Sequence, residues 1–200
     1  LSSPPRESPL ISEQYRSEQE RLHESGVYGT ASIQYAEAVA TLINFYEVTH
    51  LLDYGCGAQT NLPKAMAQLP ADKKIRHKVT YQAYDPGVPR FSKPPLPADL
   101  VACIDVLEHI EPQFIDAVLD DLTRLSTAVI FATIDTGPAL KVLSDGRNAH
   151  VLQRPIGWWF PKLDARFDLM TLQSTSLHSF MFIGSSKPLL TRADGTPITC

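Results

Sequence analysis

The chain has 200 residues, 44% of them hydrophobic, and a net charge of -4. That length suits one domain with a substantial core and excludes two full ones, while the interspersed charges form no broad basic surface for a phosphate backbone, leaving only a local nucleic-acid contact open. Cys56, Cys103 and Cys200 are too few and too scattered for a disulfide framework or metal knuckle. The first residues lack an apolar signal core, and no apolar run approaches the roughly 20 residues that span a bilayer, so a cytoplasmic protein without a membrane partner is expected.

Residues 1–11 are rich in proline and serine, a composition that favours a disordered arm. Ser12 to His23 reads as a polar helix capped by Ser12, with too few apolar residues to enter the core, and a loop follows to residue 29. Ile33, Ala36, Ala40, Ile43 and Tyr46 share one helical face, which predicts a helix over Thr30 to Glu47. The strand from Thr49 ends in Asp53 and runs into Gly55 and Gly57, with a helix over Asn61 to Leu69. A second strand, Val79 to Tyr84, ends in Asp85-Pro86-Gly87, and a third, Leu100 to Ile104, ends in Asp105.

After Glu111 and Pro112 comes an apolar helical pattern from Phe114 to Leu125, then a β-branched strand from Ala128 to Ile134. Asp135 to Asn148 carries Gly137, Pro138 and Gly146 and reads as a mobile segment over the strand ends. Arg154 to Leu163 is a short helix bearing Trp158 and Trp159, either an aromatic wall or one core ring with one edge ring. Leu169 to Gln173 and Phe180 to Ile183 form a closing hairpin. Alternating strands and helices predict an α/β fold whose sheet is mostly parallel with a terminal antiparallel hairpin, a single domain over 12–200 with ligands at the carboxyl ends of its strands.

Asp53-Tyr54-Gly55-Cys56-Gly57 lets the backbone approach a ligand closely, but Thr60 stands where a dinucleotide fingerprint needs a third glycine. Followed by Tyr84-Asp85-Pro86 and then Asp99 to Ile110, it resembles the motifs of class I methyltransferases that use S-adenosylmethionine, in their order. The resemblance implies a Rossmann-like sheet and a cofactor site at Tyr28, Asp53, Gly55, Cys56, Gly57, Tyr84, Asp85, Pro86, Ile104 and Asp105. Asp85 would accept bonds from both ribose hydroxyls, Asp53 would orient the glycine loop and the cofactor's ammonium group, and residues 12–29 would form a lid. Pro86 to Ala98 is too short for the helix and strand that usually intervene here, so the third strand of the usual sheet is expected to be reduced or missing. Val88, Phe91 or Leu96 then supplies apolar surface near adenine.

Asp105, Glu108 and His109 have helical spacing, and with His150 they resemble the metal site of small-RNA 3′-end 2′-O-methyltransferases, implying manganese, iron or zinc. Without metal, His109 or His150 is the candidate general base. His23, His50, His77 and His178 read as solvated. The expected activity is methyl transfer to oxygen or nitrogen of a small molecule, nucleotide or sugar. Metal-dependent 2′-O-methylation of RNA ends, a nicotinamide oxidoreductase and a cofactor-binding subunit without turnover are the alternatives.

Overall fold

The computed structural model describes residues 9–24 and 30–186. Six strands, β1 (His50–Tyr54), β2 (Thr80–Tyr84), β3 (Ala98–Ile104), β4 (Ser126–Asp135), β5 (Phe167–Ser174) and β6 (Ser179–Ser186), form one sheet in the order β2-β1-β3-β4-β6-β5. The first four run parallel, and β6 pairs antiparallel with both β4 and β5. This is the mostly parallel Rossmann-like sheet with a terminal hairpin. Among the described residues the usual third strand is absent: a 3-10 turn at Pro89–Phe91 lies between β2 and β3, and β2 is the sheet edge.

Strand alternation divides the core in two. Leu100, Ala102 and Ile104 of β3 face the layer that contains Val39 and Ile43 of α2 (Ala36–Phe45) and Leu62 and Met66 of α3 (Asn61–Ala67). Val101 and Cys103 face Val118, Leu119 and Leu122 of α4 (Ile115–Leu125), with Trp159 and Leu163 of α5 (Ile156–Asp164). Helices on both faces explain the near-continuous apolar run of β3. Cys56 and Cys103 are buried and unpaired by disulfide. No described helix is long and apolar enough to cross a membrane.

Three expectations are corrected by packing. The helix expected over Thr30 to Glu47 is split: a 3-10 turn at Ala31–Ile33 precedes α2, Ile33 is exposed, and Tyr35 at the break packs at a tilt against Phe131, ring centroids 5.7 Å apart. The arm expected through residue 11 reaches the core at Leu10, which is buried. Helix α1 (Glu13–Glu24) is polar in sequence, yet Tyr15, Glu18 and Gln19 are buried.

Long-range polar bonds hold α1 down. The Ser12 backbone N–H and hydroxyl both donate to the Glu111 carboxylate at 2.9 Å, and the Ser144 backbone N–H and hydroxyl donate to Glu18 at 3.0 and 2.7 Å. The segment 136–155 closes over the strand ends as an ordered loop: the Asn148 side chain bonds Ala139 through both backbone groups, and Leu143, Ala149 and Leu152 are buried.

Phe131 lies fully buried in the central strand β4. Phe131→Ala is expected to cost about 3–5 kcal/mol through the cavity it leaves, read as a lowered urea midpoint with an unchanged m-value.

Candidate active site

Parallel pairing of β2, β1 and β3 brings their carboxyl ends to one side, where one cavity of about 500 Å³ opens. Asp53, Gly55, Cys56, Gly57, Asp85 and Pro86 line it, joined by Ile104, Asp105, His109 and His150. Ten of the sequence-predicted residues therefore meet in one space. Tyr84, fully buried, supports it from beneath: its carbonyl accepts the N–H groups of Gly55 at 2.7 Å and Cys56 at 3.1 Å, and so shapes the loop. Tyr28 lies outside the described residues.

The glycines answer to geometry. Gly55 has φ +81, and a Cβ there would meet Val106 Cγ2 at 2.3 Å, so the loop can press on the segment after β3 only because no side chain intervenes. Gly57, with φ +63, donates its N–H to Asp85 Oδ2 at 3.0 Å, while the Gly87 N–H donates to Oδ1 at 2.9 Å. Cys56 is buried, which pushes its thiol up and makes it no nucleophile.

Burial is the dominant force on the acids. It raises Asp53 to about 7, with the nearby Asp85 adding to the effect and the Tyr81 hydroxyl, donating at 2.7 Å, opposing it. Asp85 is raised by the same burial, against which the facing His23 imidazole works, its Nε2 3.6 Å from Oδ2. Burial in turn lowers His23. His23 is thus no solvated histidine; it was hidden from sequence because α1 reaches it to a carboxylate far along the chain. His77 is also engaged, with Nε2 2.8 Å from the Val48 carbonyl.

At the other end of the cavity Asp105 sits at φ 50, its carboxylate accepting from Thr133 Oγ1 at 2.5 Å. A 3-10 turn at Leu107–His109 replaces the expected helical turn and directs Glu108 inward. Glu108 is fully buried; Oε1 accepts the Asp135 N–H at 3.0 Å, Oε2 has no hydrogen-bond partner among the described residues, and desolvation holds the acid well above its ordinary range. His109 Nδ1 donates to the Ala149 carbonyl at 2.8 Å and His150 Nδ1 to that of Gly137 at 2.7 Å, so each ring carries its lone pair on Nε2. The rings meet edge to face at 4.8 Å, and burial, with His150 adding to it, drives His109 down to about 3. Glu108, His109 and His150 bring ligand atoms within 4.8 Å of one another; Asp105, held by Thr133, stands outside this group.

Sequence reasoning missed Gln19 and His23 of α1, Tyr81 behind Asp53, and Thr133. Only Tyr81 left a trace, alternating with Tyr84 and the strand end. Trp159 is a core residue bonded to the Arg154 carbonyl at 3.1 Å, and neither tryptophan lines the cavity. Among the three apolar residues expected near adenine, Val88 is buried, Leu96 is exposed, and none lines the cavity.

The raised Asp53 sets a pH dependence. Its folded value exceeds the unfolded one of 3.8, so its contribution to stability is fully present below pH 4 and is lost as pH rises to about 7. Asp53→Asn, which keeps an acceptor for Tyr81, is expected to remove this slope of at most about 1.4 kcal/mol per pH unit, seen as urea stabilities of variant and wild type that diverge between pH 4 and 7.

No protein-family model and no curated protein matches the chain. Solved structures match its fold. The chain is similar to Burkholderia thailandensis 1,6-didemethyltoxoflavin-N1-methyltransferase with bound 1,6-didemethyltoxoflavin and S-adenosylhomocysteine, at 14% identity and TM-score 0.62 over 91% of this chain and 93% of that one. It is also similar to the mitomycin 7-O-methyltransferase MmcR, at 13% identity and TM-score 0.58 over 87% of this chain and 60% of that one. A third likeness is to magnesium protoporphyrin IX methyltransferase from Synechocystis PCC 6803 with bound SAH, at 15% identity and TM-score 0.52 over 87% and 97%. With its strand order, closing hairpin and acids at three successive strand ends, the chain has the fold of the class I S-adenosylmethionine-dependent methyltransferases.

Proposed function

We propose that this protein transfers a methyl group from S-adenosylmethionine to an oxygen or nitrogen of a small-molecule acceptor. The observation that carries the reading is the meeting of Asp53 and Asp85, from adjacent parallel strands, in one cavity that also holds His150. The cofactor supplies a methyl group activated by a sulfonium. Asp85, whose Oδ2 now faces His23, would accept the ribose hydroxyls, and Asp53 would pair with the ammonium group, a cation that would also bring its raised carboxyl back down.

For the acceptor's proton, the two imidazoles are not equal. Desolvation lowers His109, so the base is assigned to His150 Nε2, with Gly137 holding its Nδ1–H and His109 packed against the ring. Helix α1 and the loop 136–155 line the cavity, and alignment with that base provides most of the acceleration such a displacement needs.

Calorimetry with S-adenosylmethionine tests the first half: wild type binds, and Asp85→Asn loses about 10- to 100-fold in affinity. No binding by wild type at millimolar cofactor defeats the proposal. Acceptor pools assayed for S-adenosylhomocysteine release test the second half, with His150→Gln expected to lower kcat by about 10²- to 10⁴-fold at little change in cofactor affinity.

A second reading adds a divalent metal, manganese, iron or zinc, at Glu108, His109 and His150. It is favoured by the buried Glu108 Oε2 and by two imidazoles whose Nδ1–H groups are held by backbone carbonyls, as in metal-ligating histidines generally. Manganese titration by calorimetry, with Glu108→Gln as control, decides it; no stoichiometric heat in wild type overturns it.

A further inference from the structure

We propose that the acceptor carries no negative charge: it is a neutral or cationic molecule with an apolar body, and phosphate- or carboxylate-bearing molecules are turned away by the cavity itself. This rests on the methyl-transfer reading above and names the chemistry of its second substrate.

Two independent observations carry it. The first is the sign of the wall. Asp53, Asp85, Asp105 and Asp135 all line the cavity and Glu108 lies just behind, against a single lysine, Lys141, and three histidines; no arginine lines it among the described residues. Asp105 and Asp135 lie at the end that holds His150. A cofactor bearing sulfonium and ammonium against one carboxylate is a net cation and suits such a wall. An anionic acceptor would add negative charge beside the Asp105 and Asp135 carboxyls in a partly desolvated space with no arginine in its lining, where like charges repel more strongly than in water.

The second observation concerns backbone donors. Anion sites in α/β folds are built from N–H groups presented by glycine loops. Here the protein's own acids have taken those groups: the Gly57 and Gly87 N–H groups serve Asp85, the Gly137 N–H donates to Asp135 Oδ1 at 2.7 Å, and the Asp105 N–H goes to Thr133. Arg90, the guanidinium nearest the glycine loop, donates to the Ala58 carbonyl and lies over the Phe91 ring. What the cavity offers an acceptor is mainly apolar contact from Leu10, Ile11, Val106, Ile110 and Pro138.

The test uses the full chain saturated with S-adenosylhomocysteine and matched pairs that differ by one anionic group: adenosine and adenosine 5′-monophosphate, catechol and 3,4-dihydroxybenzoate. Calorimetric or ligand-observed NMR titration measures binding, and S-adenosylhomocysteine release with S-adenosylmethionine measures turnover. The neutral member is expected to bind at least tenfold better, the preference to shrink as salt rises, and Asp135→Asn to lower the ratio of neutral to anionic affinity about tenfold whichever way the absolute values move. Equal or tighter binding of the anionic members, or their methylation once manganese is added, overturns the proposal. Failure of the methyl-transfer reading shows separately, as absent cofactor binding in the same calorimeter.

Discussion

Everything at this site follows from three carboxylates set side by side at the ends of three parallel strands. Register places Asp53 beside Ala83, one turn of pleat before Asp85, and beside Ala102, shortly before Asp105. Buried acids at such spacing cannot all ionise without a nearby cation or several donors. The protein meets part of that demand itself, with Tyr81 on Asp53, two glycine N–H groups on Asp85 and Thr133 on Asp105. On the proposed reading, a ligand with positive charge would meet the rest.

The cover over this site joins an apolar cluster, Tyr15 of α1 with Leu143 and Ala149 of the loop, to a set of polar bonds. Helix α1 and the loop 136–155 are tied to each other through Glu18 and Ser144, and Arg147 lies over the Tyr15 ring at 5.6 Å. One end of this unit puts His23 against Asp85; the other carries His150. The two ends of the cavity are therefore lined by one bonded assembly. Gly87 permits that closeness, because a Cβ there would meet Gln19 Cβ at 2.7 Å.

Much of this was legible in the chain. Strand ends with Asp53, Asp85 and Asp105, the paired glycines, the helical stripe of α4 and the hairpin all speak through local periodicity, which reports the buried face of an element without reference to its neighbours. The shortened crossover was legible too, since Pro86 to Ala98 has room for a 3-10 turn and little more. The role of α1 was not: Tyr15 packs on Leu143 and Ala149, and Ser12, Glu18 and His23 meet Glu111, Ser144 and Asp85, partners that lie about a hundred residues or more away in two of these three polar pairs.

The sequence by itself determined the order of elements, the acids at the strand ends and the glycine loop, because each depends on short-range patterns of burial and backbone freedom. Tertiary structure alone decided that His109 and His150 meet edge to face with each Nδ1 held by a backbone carbonyl, that Glu108 points inward while Asp105 is drawn to Thr133, and that α1 lines the cavity. Those outcomes depend on desolvation and on hydrogen bonds between distant segments, and both are properties of the folded neighbourhood rather than of any residue's place in the chain.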